Sequence, residues 1–355
     1  MSYWPDRASI VTTFYSLIVG GIGAALAYWL SFPVFMLTGP AIIISALSFA
    51  GIRFAIADIV RDVAFLFLGI SIGAGVNAEA TAALARWPLA FLALIVMLLI
   101  TLTGCRFLLT RYFDFDRRSA LLASTPGHFS FVVSIGSSLD LNVAKIAAVQ
   151  SVRLLALTIL VPFVAVAFGV NIAASILPSG VAMQSIHVAI LLAASLGFGL
   201  ALKRFKVPAP LLIGGLIISA FSHAMDITPG VLSAAITLPC FLIVGTMIGT
   251  RFSGIAVLQL KQALMAGLII TVVSVGAAII AAVSVAAFVG MPAAHVVVAF
   301  APGGLETMVA MGVMLGANPG FVAACHVGRL LCLTVLVPFF IGRNAKAKTG
   351  SDIAE

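Results

Sequence analysis

The segment from Ala123 to Val164, ASTPGHFSFVVSIGSSLDLNVAKIAAVQSVRLLALTILVPFV, returns near the C-terminus as Ala299 to Phe340, AFAPGGLETMVAMGVMLGANPGFVAACHVGRLLCLTVLVPFF. At a constant offset of 176 residues the two agree at 18 of 42 positions, with no gap. The matched pairs include Pro126 with Pro302, Gly127 with Gly303, Asn142 with Asn318, Arg153 with Arg329 and Pro162 with Pro338. A chain written this way folds as two copies of one unit, each with a broken apolar element followed by an arginine set in apolar sequence. The repeat runs upstream more weakly: GISIGA (Gly69 to Ala74) lies against GTMIGT (Gly245 to Thr250), and Pro33 against Pro208. The expected division is an N-terminal repeat over 1–170, a C-terminal repeat over 171–342 and a short tail over 343–355.

Both copies lie in apolar sequence. Hydrophobic residues make up 63% of the chain and charged residues 8%, against roughly a quarter charged in a soluble domain. Apolar runs of about 18 residues or more recur along the whole length, the mark of membrane-spanning helices. A membrane barrel would show alternating segments of about 10 residues instead. The formal charge of +8 comes from residues between the apolar runs and in the tail, as the positive-inside rule produces, and no long basic run points to nucleic acid. The cysteines Cys105, Cys240, Cys325 and Cys332 show no metal-ligand spacing and read as packing residues. The first apolar segment, about 10–30, is long enough to stay as a helix rather than be cleaved as a signal.

Apolar segments predict helices near 10–30, 33–51, 60–82, 87–110 and 143–168, with a broken element at 117–139. The second half repeats the order near 186–202, 208–224, 231–250, 262–289 and 319–341, with a broken element at 293–316. Charge decides how the broken elements sit. If both cross the membrane, Lys203, Arg204 and Lys206 fall outside and the usual bias inverts. If each is a re-entrant hairpin, Arg53, Arg61, the cluster from Arg106 to Arg118, Lys203 to Lys206, Arg251, Lys261 and the tail all fall inside. The exception is Arg86, with Glu79 beside it. The expected fold is an all-α polytopic membrane protein. It has two inverted repeats of five transmembrane helices plus one re-entrant hairpin each. Both termini are cytoplasmic.

The hairpin tips, Thr125-Pro126-Gly127-His128 and Ala301-Pro302-Gly303-Gly304, carry the first candidate chemistry. Proline removes a donor and glycine permits a reversal, and in hydrocarbon such a break is tolerated only under protein or at a water-filled cavity. A half-helix beginning at a tip points its first N–H groups at an anion or carboxylate. The bland alternative is a Pro-Gly kink that only packs helices. Arg153 and Arg329 fall about ten residues into their helices, near the bilayer centre, where an arginine is costly and by default functional. Gln150 and His326 precede them at i−3, on the same face. Two roles are open to the arginines: binding substrate, or donating to carbonyls of the broken hairpins. Glu306, opposite Ser130 in the repeat, is a candidate coupling group for H⁺ or Na⁺; its alternative is a salt bridge to Arg329 or Arg153. His128 can titrate near neutral pH or serve as a structural residue. Small faces of Gly69, Ser71 and Gly73, and of Gly245, Thr246 and Gly249, read as close-packing surfaces. Asn142 and Asn318 read as helix caps.

On STPGHFSFVVSIGSSLDLNVAKIAAVQSVRLL and APGGLETMVAMGVMLGANPGFVAACHVGRLL the chain resembles the membrane AbrB family, a duplicated bacterial integral-membrane family, over about residues 10–342. The second copy is closer to the family pattern. The first departs from it at His128 and Ser130, where the second has Gly304 and Glu306. Family members carry labels as ammonia monooxygenases or as regulators of gene expression, and wider relatives are similar to cation/proton antiporters and anion transporters. The resemblance implies an inner-membrane protein of transporter fold.

Three functions compete. A secondary transporter of a small organic anion, coupled to H⁺ or Na⁺, accounts together for the repeat, the hairpins and the buried arginines. Its substrate-binding candidates are Thr125, Pro126, Gly127, His128, Ser130, Gln150, Arg153, Pro302, Gly303, Gly304, Glu306, His326 and Arg329. Partners are the lipid bilayer, the anion with its coupling ion and, by analogy, a second copy of the chain. A monooxygenase needs a copper or iron site, and the five histidines show no ligand spacing, so no metal, cofactor or enzymatic activity is expected. A membrane regulator would act with no soluble signalling domain, since only about a dozen residues follow Arg343.

Overall fold

The computed structural model describes residues 7–75, 87–127, 129–170, 180–253 and 257–349. Among them all regular structure is helical, apart from one isolated bridge between Ala182 and Val231. In the first half α1 is Arg7–Trp29, α2 Phe35–Phe49, α3 Asp58–Gly73, α4 Trp87–Tyr112, α5 Arg117–Ser124, α6 Phe129–Ser138 and α7 Val143–Ala167. In the second half α8 is Ser185–Arg204, α9 Pro210–Ala224, α10 Ala234–Thr250, α11 Val257–Val289, α12 Ala293–Phe300, α13 Leu305–Met314 and α14 Pro319–Thr349. The expected helix at 60–82 begins at Asp58 and ends at Gly73. Glu79, Arg86, most of the link at 171–179 and the tail beyond Thr349 lie outside the described residues.

Among the described residues six helices, in α1, α4, α7, α8, α11 and α14, are long and apolar enough to cross a membrane, and the protein is a multi-pass membrane protein of helical type. The remaining four expected spans are shorter than the sequence reading made them. α2, α3, α9 and α10 have 15, 16, 15 and 17 residues. At about 1.5 Å per residue they cover roughly 22–26 Å of a core about 30 Å thick. Their ends explain the shortfall. Pro33 and Pro208 are each followed by a residue forced into left-handed backbone, Val34 (φ 54°) and Ala209 (φ 45°), immediately before α2 and α9. α3 opens on Asp58, Arg61 and Asp62, which are not membrane-core residues.

The two halves share backbone irregularities as well as sequence. Left-handed φ recurs at Ser31 and Lys206, at Val34 and Ala209, and at Gly51 and Asp226, each pair 175 residues apart. It recurs at Asp114 and Gly290, and at Asp140 and Gly316, 176 residues apart. A β-branched residue at positive φ is rare, so Val34 reflects a turn that the repeat imposes.

Glycine faces set the helix packing. A Cβ on Gly69 would strike the Leu212 carbonyl, and one on Gly73 would strike Leu216 and Ser219, so α3 and α9 run side by side in the same direction. Gly245 meets Leu37 and Gly249 meets Ala41 and Ile44, so α2 and α10 do likewise. The Ser253 hydroxyl bonds both Ser48, at the end of α2, and the Phe54 N–H, just before α3. The chain therefore turns back between those two helices. The helices sort into two groups that pack chiefly among themselves: α1–α3 with α8–α10, and α4–α7 with α11–α14. The largest buried apolar cluster runs through both, joining Leu37, Leu68 and Phe241 to Val297, Met308 and Phe321.

Each broken element is a pair of short helices. α5 is capped by Asp116, whose carboxylate accepts from the N–H of Arg118 and Ser119 at 3.0 and 2.9 Å. α7 is capped by Asn142 through the Lys145 N–H, and α14 by Asn318 through the Phe321 N–H, both at 3.0 Å. Lys145, in the first turn of α7, donates to the carbonyls of Phe113 and Asp114 at 3.4 and 3.1 Å. The exit of the α5–α6 element thus lies beside its entrance.

Candidate functional site

A helix ending inside a membrane protein leaves its last four carbonyls without partners. At the end of α5 all four are satisfied. The Leu121 carbonyl accepts from the Thr125 hydroxyl at 2.9 Å. Leu122 accepts from Gln150 Nε2 at 2.8 Å, and Ala123 and Ser124 accept from Arg153 Nη1 at 3.4 and 3.3 Å. The Thr125 carbonyl, at the tip, accepts from Arg153 Nη2 and from Gln150 Nε2, both at 3.0 Å. A 2.7 Å bond from Arg153 Nη2 to Gln150 Oε1 locks the two side chains together.

The second tip is built on the same plan with fewer hands. Arg329 donates through Nη1 to the Ala301 carbonyl at 2.8 Å and through Nη2 to Gly303 at 2.7 Å. His326, at the Gln150 position, donates through Nδ1 to Val322 in its own helix at 2.8 Å. Arg153 and Arg329 are both fully enclosed, at 1% and 0% exposure. Of the two roles open to them, donation to hairpin carbonyls is the one their geometry performs. Charge-assisted bonds of this kind are about twice as strong as neutral ones.

The tips touch. A Cβ placed on Gly127 (φ 79°) would lie 2.9 Å from Arg329 Nη2 and 3.0 Å from the Gly303 carbonyl. Only a residue with no side chain and free access to positive φ lets the first tip seat on the second.

A cavity of about 880 Å³ opens in front of this junction, between the two groups of helices. α3 contributes Arg61, Asp62 and Phe65, and α10 contributes Met247, Thr250 and Arg251. The α8–α9 link contributes Phe205 to Ala209. From the other group come Gly127, Phe129, Gln150, Leu154, Gly304 to Glu306 and one face of α14 from Val327 to Thr334. Phe205 is 78% exposed, so the cavity reaches the surface at that link. Its size falls within the usual range for small-molecule sites.

Glu306, in the first turn of α13, pairs with Arg251 Nη2 at 3.5 Å. The sequence reading offered Arg329 or Arg153 as its salt-bridge partner, and the structure corrects this. Both of those guanidiniums are spent on carbonyls of the broken elements, whereas Arg251 at the end of α10 reaches into the cavity. Its guanidinium also lies 5.1 Å from the centroid of the Phe129 ring, within cation–π range.

Of the residues singled out from sequence, Gly127, Gln150, Gly304 and Glu306 line the cavity. Thr125, Pro126, Arg153, Pro302, Gly303, His326 and Arg329 are buried behind it. Ser130 falls within α6, and His128 lies outside the described residues. Arg61, Asp62, Lys206 and Arg251 were missed as site residues. Their signal was present, since all three cations were placed on one side by charge bias, but that count was read as topology alone. Among the described residues no three of His, Cys, Asp and Glu gather as a metal site would need.

A family model described as "Transition state regulatory protein AbrB" matches residues 37–343. The chain belongs to the AbrB family. The match takes in every cavity-lining residue and both tips of this AbrB-family protein. YhjN of Bacillus subtilis (strain 168), described as an uncharacterized protein, is 26% identical over 294 residues, covering 78% of this chain and 76% of its own. No solved structure matches the chain.

Proposed function

We propose that this AbrB-family protein is a secondary transporter of a small organic anion in the bacterial inner membrane, coupled to H⁺ or Na⁺ through Glu306. It works by alternating access, with two inverted repeats, each of five spanning helices and one re-entrant hairpin, and with both termini in the cytoplasm. The observation that carries this reading is the cavity: it lies at the boundary between two groups of helices, against two broken tips that meet. Inversion is supported by packing direction. α2 runs with α10, α3 runs with α9, and the chain reverses between α2 and α3. Since α9 repeats α2 and α10 repeats α3, the repeats point opposite ways, as in known transporter folds. Re-entry is supported by Lys145, which ties the start of α7 to the link before α5.

In this mechanism α4–α7 and α11–α14 move as one body against α1–α3 and α8–α10, carrying the tips past the boundary. The buried arginines keep the broken backbone satisfied in both states. The substrate meets Gly127, Gln150, Gly304 and the first N–H groups of α13. The protein acts without catalysis. The regulatory wording of the family description fits a transporter whose substrate acts on gene expression indirectly.

The test is thermal shift of the detergent-purified protein against a panel of small carboxylates, across pH and with or without Na⁺. Stabilisation by a carboxylate, enhanced by H⁺ or Na⁺, is the expected result. A folded protein stabilised by no carboxylate overturns the organic-anion reading.

A further inference from the structure

The three enclosed or half-enclosed arginines nearest the tips are not equivalent. Arg153 and Arg329 direct both terminal nitrogens at backbone carbonyls within 3.4 Å. Arg251 is held by Glu306 at 3.5 Å, the outer limit of hydrogen bonding. Both members of this pair border open cavity, at 24% and 17% exposure. The other cavity ion pair is tighter: Arg61 binds Asp62 at 2.7 Å and Asp58 at 2.6 Å.

We propose that Arg251 is the carboxylate anchor of the cavity, that Glu306 is the internal competitor for it, and that the substrate is a monocarboxylate with an apolar body. This assignment rests on the transporter reading and names its substrate class. The charged groups facing the cavity are Arg61, Lys206 and Arg251 against Asp62 and Glu306; Arg61 is already held by both Asp62 and Asp58, which leaves Arg251, in its long contact with Glu306, as the deep cation open to one carboxylate. The walls that remain are mostly apolar, with Phe65, Phe129, Leu154, Met247 and Leu305, and their polar groups Gln150, Thr250 and Thr334 are neutral. They suit an aliphatic or aromatic body and bring no second cation to a second carboxylate deep in the site. Lys206 is exposed at the mouth.

Binding is an exchange of partners. A guanidinium takes a carboxylate best through two parallel bonds, and the single long contact to Glu306 leaves that geometry open. When the substrate occupies Arg251, Glu306 faces a second carboxylate and repels it. The displaced Glu306 then takes the coupling cation, which neutralises it and seals the loaded site. Without the cation, Glu306 returns to Arg251 and expels the anion. Substrate and cation thus enter together by competition for one guanidinium.

The experiment is isothermal titration calorimetry of the full-length protein in detergent with phenylacetate as probe, succinate as dicarboxylate and phenethylamine as cation of similar shape. Phenylacetate is expected to bind, and the other two at least about tenfold more weakly. Arg251→Ala is expected to weaken phenylacetate about 30-fold or more and Arg251→Lys by a smaller factor. Glu306→Gln is expected to tighten it and to abolish its dependence on Na⁺ or pH. Unfolding midpoints of each variant confirm that the folded protein is compared. Phenylacetate binding that Arg251→Lys and Arg251→Ala leave unchanged overturns the assignment, as does wild-type protein that prefers succinate or phenethylamine. Vesicle exchange separates this from the broader reading. An organic anion exchanged equally well by Arg251→Ala removes the anchor and keeps the transporter. Phenylacetate bound through Arg251 but never exchanged keeps the anchor and removes the transporter.

Discussion

The two broken tips occupy matched positions and solve one problem with different means. At the first, Arg153 and Gln150 together hold the carbonyls from Leu122 to Thr125. At the second, Arg329 holds Ala301 and Gly303, the Gly303 N–H is a further donor to Ala301, and His326 Nδ1 turns to its own helix. The arginine is the element both copies share, and the broken backbone is what both must satisfy. The differences lie where the cavity is. Gln150 lines it and His326 does not, and Glu306 stands in the second copy at the place of Ser130 in the first. The common part of the repeat therefore builds the tips, and its asymmetric part furnishes the site.

The largest expected effect breaks the tips themselves. Arg153→Ala strands the Ala123 and Ser124 carbonyls, while Gln150 still serves Thr125. It should cost about 4 kcal/mol, at about 1–3 kcal/mol per stranded group. Arg329→Ala strands Gly303 alone, because the Ala301 carbonyl keeps the Gly303 N–H at 2.9 Å, and should cost about 2 kcal/mol less. Unfolding midpoints in detergent measure both, and equal losses would mean that the Gly303 N–H carries none of the load.

Next comes the contact between the tips. Gly127→Ala must accept positive φ and a Cβ within 3.0 Å of Arg329 and the Gly303 carbonyl, at a cost of about 2 kcal/mol. The matched Gly303→Ala meets the Met308 side chain first, at Cε, Cγ and Sδ, and displacing that flexible chain should cost about 1 kcal/mol. The same denaturation assay reads the pair, and a reversed order would show that the tips do not meet as described.

The smallest effect distinguishes the entrances of the two broken elements. Asp116 caps α5, whereas Pro292 gives α12 no side-chain cap. Burial pushes the Asp116 carboxyl up, but the Ser119 hydroxyl and the N–H groups of Ser119 and Arg118 outweigh it and hold the group below its ordinary value. Its folded value being depressed, the cap contributes fully above the ordinary carboxylate range and is lost as pH falls through the folded value. Asp116→Ala should cost about 1 kcal/mol near neutral pH and progressively less toward pH 3. A cost that does not shrink in acid would mean the charge is irrelevant.

Much of this arrangement was legible in the sequence. The bounds of both broken elements, the caps at Asn142 and Asn318 and the glycine faces of α3 and α10 follow from residue types whose local physics leaves few choices. The lengths of α2 and α9 were not legible, because hydropathy runs on through Val34 and Ala209 while the backbone does not. The partner of Glu306 was misread for a related reason. Placement beside the tips suggested Arg329 or Arg153, but their donors were already committed to carbonyls, a fact that lives only in three dimensions. Arg251 was visible as a charge and invisible as a site residue, since nothing local to it shows that α10 ends at a cavity.

The measurement that reaches the central claim most directly is counterflow in proteoliposomes. Vesicles holding the purified protein and an unlabelled small carboxylate are diluted into the labelled compound, with a panel of carboxylates taken in turn. Transient accumulation of label by wild-type protein is the predicted result for at least one monocarboxylate. Glu306→Gln should retain that exchange and lose accumulation driven by a H⁺ or Na⁺ gradient. No accumulation of any carboxylate by protein shown to be folded would contradict the account.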